Sequence, residues 1–527
     1  MLGREFGYEL IERVAQRPAA ELRLGLDRLA EAGLLFCRGV APQSSYLFKH
    51  ALVQDAAYGT LLRARRQELH ARVAAVLKQH FPDLVERQPE LLAHHLTAAG
   101  DAERAVDQWL KAGQYAAARL AHLEAIRHFD RGLATLAALP EGPARDGKEI
   151  ELHLARGLSL LTAEGYSSSV APAYARAQEL AEARGDARQL FMAVYGLWQW
   201  AQGTGMIRDC RRLSDRLLQL ATRQADEGLR LQARHSAWTT CLFAGELAVG
   251  REHCEAGRRL YDPERHRSHR LLYGAHDPGV CAGNIGAQLH WLLGYPEQAL
   301  AIGTEALAFA ERIAHPMSLE LSLLHSAMLH ANRGESELTF QRLATAEALA
   351  AEQRLGFMLE PRFMRGAALN SQGAFADAIC CLREGLAGRL GAMRDRAYGL
   401  ARLAEALAQH GEHEAALAAA IEGRETQERL GQRLWDAELR RIEGIALVGL
   451  NRLEEGQSAL EAALRVARSQ QAKSYELRAA TSLARLLGEQ GRRAEARDLL
   501  APIYDWFTEG FDTADLKEAK ALLDELT

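Results

Sequence analysis

An apolar stripe with helical spacing is the clearest pattern in the chain, and it lies near the C-terminus. In SYELRAATSLARLLGEQG the apolar positions are three, three, one and three residues apart: Leu477, Ala480, Leu483, Ala484 and Leu487. This spacing puts them on one face of a helix. Gly491 is placed to end that helix, and a second apolar helical segment follows it. The pattern predicts a pair of helices joined by a glycine turn.

The same signals recur at a period near 40 residues. Counted from the turn residue, a small residue stands at +5, a bulky one at +9 and another small one at +12, as in Gly100, Ala105, Trp109 and Ala112. Small residues let two helices approach closely, and the bulky residue fills the gap. The turn positions are Gly100, Leu120, Gly165, Gly205, Gly245, Gly294, Gly334, Gly373, Gly411, Asn451 and Gly491. A repeat of this length predicts an all-α fold, a tetratricopeptide-like α-solenoid of antiparallel helix pairs in a right-handed superhelix.

Two stretches rich in proline and charge interrupt this pattern. They are Leu139–Gly147 and Tyr261–Gly279, and both are predicted breaks between helix blocks. The second is interpreted as an inserted loop. It carries His266 and His269 beside three arginines, so it is either a solvated loop or an anion site.

The first eighty residues lack the repeat. AELRLGLDRLAEAG predicts a helix with Leu22, Leu26 and Leu29 facing inward, and the apolar runs Leu34–Arg38 and Ser45–Phe48 predict a hairpin. Helical sequence resumes after His50. The order of helix, helix, hairpin and helix is typical of a winged-helix segment. We therefore expect a winged-helix-like segment at 1–80, linking helices and the first repeats at 81–140, and the superhelix at 141–527.

The charge pattern weighs against DNA binding by this segment. Its candidate recognition helix holds three acidic residues, Glu21, Asp27 and Glu31, and two basic ones, Arg23 and Arg28. Such a face repels phosphates. The net charge of −5 gives no general attraction to nucleic acid or anionic membrane. No apolar window is long enough to span a bilayer, and the seven cysteines form no CxxC pair, which favours reduced thiols and a cytoplasmic location.

Candidate catalytic motifs mostly fail on their own chemistry. GPARDGKE at 142–149 matches part of a phosphate-binding loop, but Glu149 stands after Lys148 where a Mg²⁺-binding hydroxyl is needed. We interpret it as a charged loop between helices. His94 and His95 are adjacent and should diverge on a helix, with His94 packing or capping. The basic stretch of Arg63, Arg65, Arg66 and Arg72 fits a solvated face or an internal acidic partner. We expect no enzyme activity, no catalytic residue, no cofactor and no metal.

Several longer strings resemble one protein family. YLFKHALVQDAAYGTLLRARRQELHARVAAVL, HDPGVCAGNIGAQLHWLLGYPEQAL and the C-terminal ELRAATSLARLLGEQGRRAEARDLLAPIYDWF look like the region behind the ATPase core of bacterial signal-transduction ATPases of the STAND type. Those proteins often carry class III adenylate or guanylate cyclase domains. The resemblance implies a winged helix that packs on the ATPase and a repeat superhelix that acts as sensor and scaffold.

This sequence lacks the cyclase metal carboxylates and the complete phosphate-binding loop of that family. The resemblance therefore implies the sensor half alone, either as a fragment or as a detached protein. Its expected partner is a protein or a small effector, with an ATPase or cyclase module in cis or in trans. A winged-helix transcriptional regulator is the alternative.

Aromatic residues give a candidate surface for that partner. Tyr195 and Trp198 are three apart and share a helical face, and Trp238 follows Trp198 by one 40-residue repeat. Aromatic side chains concentrate in binding hot spots, so Tyr195, Trp198 and Trp238 are predicted to line a partner-binding groove. The alternative is that they fill the core, as expected of Trp200.

Overall fold

The computed structural model describes residues 3–40, 42–274, 276–353, 355–356, 359–388 and 394–527. Contacts within the chain divide it into two units, Met1–Ala193 and Val194–Thr527. Each unit is held by its own set of helix-to-helix contacts. Among the described residues, no helix combines the length and apolarity that a membrane crossing requires.

The first unit begins with a small antiparallel sheet and two helices. Its elements are β1 (Glu5–Gly7), α1 (Tyr8–Ala15), α2 (Ala19–Glu31), β2 (Leu35–Arg38) and β3 (Ser45–Phe48). The strand order is β1-β3-β2, so β3 is central and β1 adds an edge to the predicted hairpin. The predicted order of helices and hairpin is confirmed. The strand β1 was not expected, because three residues are too few to give a periodic signal.

The core of this segment is formed where α2 meets the sheet. Leu22 and Leu26 are buried against Leu35 and Tyr46. The expectation that Leu29 also faces inward is wrong, since its side chain is 41% exposed. Because the strands are only three or four residues long, they cover only part of α2. The covered part contains Leu22 and Leu26 but not Leu29.

Helices make up the rest of the first unit. They are α3 (Ala51–Gly59), α4 (Arg63–His80), α5 (Pro82–Arg87), α6 (Pro89–Ala99), α7 (Ala102–Ala118), α8 (His122–Leu136), α9 (Pro143–Glu164), α10 (Val170–Arg184) and the first part of α11 (Ala187–Thr204). From α6 to α10, each helix packs on the next one along the chain.

The second unit continues in the same way to the C-terminus. Its further helices are α12 (Ile207–Thr222), α13 (Glu227–Ala244), α14 (Leu247–Leu260), α15 (His269–Leu272), α16 (Pro278–Leu292), α17 (Pro296–Ile313), α18 (Pro316–Arg333), α19 (Ser336–Gln353), α20 (Pro361–Ser371), α21 (Phe375–Ala387), α22 (Arg396–Gln409), α23 (His413–Leu430), α24 (Asp436–Gly449), α25 (Leu453–Ser469), α26 (Lys473–Glu489), α27 (Arg493–Tyr504) and α28 (Ala514–Glu525). No strand occurs among the described residues between 150 and 500. The predicted all-α solenoid is confirmed.

All eleven predicted turn residues lie between two helices and have a positive φ angle. Nine are glycines, which adopt this conformation without steric cost. Leu120 and Asn451 adopt it as well, with φ of 62° and 60°. The repeat frame read from the sequence therefore marks the actual helix boundaries.

Helices far apart in sequence meet again within the second unit. The backbone N–H of Arg433 donates to the carbonyl of Phe243 at 2.8 Å, and Ser474 Oγ donates to the carbonyl of Trp291. Glu509 Oε1 accepts from the N–H groups of Glu297 and Gln298 at the start of α17. The helix pairs joined by the first two bonds are five pairs apart along the chain. Successive turns of this unit are thus bonded to each other.

Helix pairs approach closely where small residues stand, and we call these positions the seam. Gly257 on α14 faces Trp238 on α13 so closely that a Cβ there would lie 2.3 Å from the indole Cζ3. Both residues are buried in the interior. An indole ring in a packed core has little room to move, so this position accepts only glycine.

We expect Gly257→Ala to lower the free energy of unfolding by about 1–3 kcal/mol, because the added methyl forces Trp238 out of its place. Gly286→Ala on α16 is the matched control, since its Cβ would meet its nearest neighbour at an ordinary 3.8 Å. Urea unfolding followed by tryptophan fluorescence measures both. Equal stability of the two variants would contradict the close approach at the seam.

Candidate functional site

The three predicted groove residues lie in the interior. Tyr195, Trp198 and Trp238 are 1%, 3% and 0% exposed. Trp198 on α11 and Trp238 on α13 are each the twelfth residue of their helix, so the 40-residue spacing does give equivalent positions. Their burial agrees with the alternative that they fill the core. Their part in partner binding stays a prediction.

Two of these three rings place their polar groups against neighbouring polar side chains. Trp198 Nε1 donates to Thr240 Oγ1 at 3.0 Å, and the Tyr195 hydroxyl lies 3.1 Å from His235 Nδ1. Burial raises the pKa of Tyr195 well above its usual value. Trp200, expected to be core, is only half-buried. The 40-residue spacing correctly predicted equivalence between repeats but left open which face is buried.

The inserted segment between α14 and α16 is folded onto the helices. His266 and His269 are 3% and 9% exposed, so the interpretation as a solvated loop is wrong for these histidines. Gln232 Nε2 on α13 donates to His269 Nδ1 at 2.8 Å, and burial lowers the pKa of His269 to about 4. The neighbouring Arg265, a candidate for binding an anion, forms an ion pair with Glu227 of the protein itself. The rings of His266 and His269 pack against Tyr261 and Tyr273, and His269 is bonded to α13, so the segment is held to the protein although its sequence is highly charged.

The partial phosphate-binding motif is helical. α9 begins at Pro143, so Lys148 lies in the second turn of a helix and the predicted break is shorter than expected. Lys148 Nζ pairs with Asp107 at 2.7 Å, and Glu149 accepts from Arg176 Nε at 2.7 Å. The interpretation of this stretch as an interhelix loop is wrong. Both charged groups are engaged in ion pairs within the protein.

Two further polar features predicted in the first unit, a basic stretch and a pair of histidines, also make contacts within the protein. Arg65 and Arg72 both donate to Glu68, which is the internal acidic partner expected for the basic stretch. Of the adjacent histidines, His95 is buried, and His94 is exposed although its ring packs edge-on against His70 at a centroid distance of 5.7 Å. His95 Nδ1 lies 2.8 Å from His70 Nδ1 on α4, which accounts for its inward position.

A polar pocket of about 670 Å³ lies in the second unit. Residues of α18, α20, α22, α24, α26 and α28 line it, mostly from the first helix of each pair. We call these first helices the inner helices. Arg402, Arg441 and Arg478 reach the pocket from α22, α24 and α26, at intervals of 39 and 37 residues.

These arginines are joined in one buried ion-pair network. Glu405 accepts from Arg402 at 3.0 Å and from Arg441 at 2.7 Å. Glu438 accepts from Arg441 at 2.7 Å and from Arg478 at 3.1 Å. Burial alone would raise the pKa of Glu438, but the charges of Arg441 and Arg478 hold it far below its usual value.

Two residues that line the pocket hold buried polar atoms without partners among the described residues. These atoms are Nε and Nη2 of Arg402 and Oδ1 of Asn370. Nε and Nη2 form one side of the guanidinium, which is the pair of donors that a carboxylate accepts from in bidentate fashion. Arg402 is 5% exposed and lies over the rings of Tyr398 and Trp435. The guanidinium thus lies against two rings, and two of its buried donors stay unused.

Sequence reasoning missed this pocket. Its arginines recur at the repeat period, and that recurrence was the available signal. In a chain with 64 lysines and arginines, such a recurrence is not distinctive by itself. A second polar group also escaped notice: His235, His276 and Cys281 have ligand-type atoms within 4.8 Å of one another. Among the described residues, they form a set that could hold a metal ion.

Comparisons with known proteins find a similar sequence and a large number of similar solved structures, two of which are described below. No family model matches the chain. A protein of Rhizobium meliloti (strain 1021), described as uncharacterized, is 28% identical over 480 residues, which are 87% of this chain and 45% of that protein. The chain therefore spans less than half the length of this relative.

The two structures have low sequence identity to the chain. The Cut9–Hcn1 hetero-tetramer of the APC/C matches 98% of both chains with 13% identity and a TM-score of 0.46. A Rap protein complexed with competence and sporulation factor matches 81% of this chain and 99% of its own, with 11% identity and a TM-score of 0.38.

We expect Trp198→Ala and Trp238→Ala each to lower the free energy of unfolding by about 3–5 kcal/mol, because each empties a large buried site. Trp506→Ala is the control, since Trp506 is 37% exposed. Thermal unfolding measures all three. Wild-type stability in either buried variant would show that these indoles lie on an accessible surface, as the groove prediction requires.

Glu438→Gln should also lower the free energy of unfolding by about 3–5 kcal/mol at pH 7, because it leaves Arg441 and Arg478 buried without their shared anion. The folded pKa of Glu438 is depressed, so its contribution is present above the unfolded pKa of about 4.3 and is lost as the pH falls below it. The stability gap between wild type and variant should therefore narrow with acidification in urea titrations. Glu461→Gln, at an exposed pair, is the control and should cost under about 1 kcal/mol. If the difference in unfolding free energy between wild type and Glu438→Gln did not depend on pH, the stabilising role of the ionised Glu438 would be contradicted.

Proposed function

We propose that the second unit is a non-catalytic scaffold that binds a carboxylate-bearing peptide segment of a protein partner in the inner-helix pocket. The observation that carries this proposal is the unused donor pair of Arg402 at the pocket. A buried donor without a partner costs about 1–3 kcal/mol, and a ligand carboxylate would recover that cost once the Arg402 side chain turns its buried Nε and Nη2 toward the pocket. The partly buried pocket would shield the new bond from water.

The composition of the pocket favours a peptide over a simple anion. Arginines and carboxylates alternate along its lining, and Asn370 Oδ1 offers an unused acceptor to a backbone N–H. A ligand that carries both donors and acceptors along its length satisfies such a surface. An extended peptide is a ligand of this kind, and rigid solenoid surfaces suit extended partners.

The same ion pairs argue against catalysis in the pocket. Glu405, Asp515 and Glu518 each accept from an arginine. The carboxylate oxygens are thus engaged by arginine donors, whereas a general base needs an oxygen within hydrogen-bond reach of the proton that it takes from the substrate. The pocket is thus better suited to recognition than to proton transfer.

We further propose that the chain works as the sensor half of a signal-transduction ATPase or cyclase system. The support is the family resemblance of the sequence and the relative that is more than twice the length of the matched region. The winged-helix-like segment would then contact a protein module. All five charged residues of its α2 helix are exposed, with acidic ones in excess, so a DNA contact is disfavoured.

A peptide array tests the binding function directly. The full chain is applied to an array of random twelve-residue peptides. Each peptide that binds is then synthesised in two forms, an acidic form with its Asp and Glu residues and an amide form in which they are replaced by Asn and Gln. We expect the amide forms to bind about tenfold or more weakly, because a charge-assisted bond worth over 1.4 kcal/mol is lost. Arg402→Gln should weaken the acidic peptides by a similar factor and leave the amide forms unchanged.

Arg465→Gln is the matched control, because Arg465 lies on α25, the second helix of its pair, and its side chain is 68% exposed. Circular dichroism checks that each variant is folded. The absence of peptide binders, or binders that do not respond to Arg402→Gln, would overturn the proposed site. Salt-dependent binding of duplex DNA by the same preparation would favour the transcriptional regulator instead.

A further inference from the structure

The segment HDPGVC builds a second polar site at the start of α16. Asp277 caps the helix by accepting from the N–H groups of Gly279 and Val280 at 2.8 and 3.2 Å, and Pro278 occupies the first turn. His276 precedes the cap, and Cys281 lies one turn inside the helix. The capping geometry therefore holds an imidazole and a thiol at the same helix end.

A third ligand-type side chain comes from α13. His235 is 3% exposed, and its Nε2 lies 3.3 Å from Nε2 of His276. The sulfur of Cys281 completes a group in which all ligand atoms lie within 4.8 Å of one another. His235 and His276 are 41 residues apart, about one repeat, so adjacent helix pairs bring them together.

The hydrogen bonds of the two rings assign their protons. Nδ1 of His276 lies 2.9 Å from the carbonyl of Gly274, which can only accept, so Nδ1 donates and Nε2 keeps a lone pair. Nδ1 of His235 lies 3.1 Å from Gln232 Oε1, which can only accept, and 3.1 Å from the Tyr195 hydroxyl, which can accept or donate, while the Gln232 amide nitrogen faces His269. With this amide orientation, His235 also carries its proton on Nδ1.

Two lone pairs thus face each other in the interior. Metal-bound histidines typically donate their other ring N–H to a carbonyl, as both rings do here. Zn–N bonds of about 2.0–2.1 Å in tetrahedral geometry separate two ligand nitrogens by about 3.3–3.4 Å. The 3.3 Å separation seen here matches that edge.

The surroundings of the Cys281 sulfur give a further, independent indication. Trp238 Nε1 and Thr239 Oγ1 are buried and interact with this sulfur, and no other hydrogen-bond partner for either lies among the described residues. Both are donors. A thiolate, the form of cysteine that binds metals, is a stronger acceptor for both donors than the neutral thiol is.

We propose that His235, His276 and Cys281 bind one Zn²⁺-class cation, with a water molecule at the fourth position. Two imidazoles and a thiolate suit zinc and its close relatives better than magnesium or calcium. On binding, Cys281 releases its thiol proton to solvent and forms a sulfur–metal bond. The cation ties α13, α16 and the segment between α14 and α16 together, independently of the peptide pocket.

Cobalt(II) and zinc titrations of the chelator-treated full chain test this site. We expect one equivalent of Co²⁺ to produce the visible bands of a tetrahedral ion and a near-ultraviolet thiolate charge-transfer band, and one equivalent of Zn²⁺ to remove both. Cys281→Ser should abolish the charge-transfer band, and His276→Gln should weaken Zn²⁺ about 100-fold or more in competition with a chromophoric chelator. Zn²⁺ should also raise the melting temperature of the wild type.

Controls separate this site from adventitious binding. All variants carry Cys37→Ser, Cys380→Ser and Cys381→Ser to remove the more accessible thiols, and Cys210→Ser serves as the control for a buried thiol. Circular dichroism confirms folding. If the wild type binds no Co²⁺, or if binding survives Cys281→Ser, the proposal fails. In that case a reversed Gln232 amide and a direct hydrogen bond between the histidines explain the contact.

Discussion

Close approach of helices at the seam is the constraint on which the rest of the structure depends. At the seam, Ala105, Ala416 and Ala496 are fully buried, and Gly257 leaves room only for the indole of Trp238. A larger residue at such a position would push two helices apart and alter the angle to the next pair. Where a pair is built on such a contact, the seam sets how closely its two helices approach and so how its inner helix is presented to the neighbouring pair.

The bonds between pairs that are five apart follow from that repeated geometry. These bonds hold successive turns of the second unit against each other. The inner helices therefore surround a buried interior in addition to lining an accessible surface. Ring contacts run through this interior from Trp291 to Tyr475, Trp435, Tyr398 and Phe363. Arg402 and Arg478 lie over these rings, which lets cations enter a dry region beside the carboxylates that neutralise them. The net contribution of such a buried network to stability is small, because the cost of removing the charges from water offsets much of their attraction. Its ion pairs nevertheless hold the side chains in defined positions.

The sequence allowed local features to be predicted and long-range ones not. The turn residues follow from backbone sterics within a few residues, which explains why even Leu120 and Asn451 were placed correctly. The contact of Glu509 with the start of α17 depends on small rotations added over several pairs, and no local pattern encodes that sum. The same limit applies to Trp198 and Trp238. Spacing shows that they are equivalent, whereas their burial depends on what the next helix places against them.

The helix α16 connects the two proposed sites within the second unit. Its N-terminal turn holds Cys281, and its last turns hold Trp291, over which Arg478 of the pocket network lies. Ten residues, or about 15 Å of helix, separate these positions. Thirteen of its fifteen residues are buried, so it is packed on all sides. Groups placed on such an element keep their geometry better than groups on a loop, because each rotamer is held by its neighbours. The inner helices are therefore where this chain can hold polar side chains accurately enough for recognition.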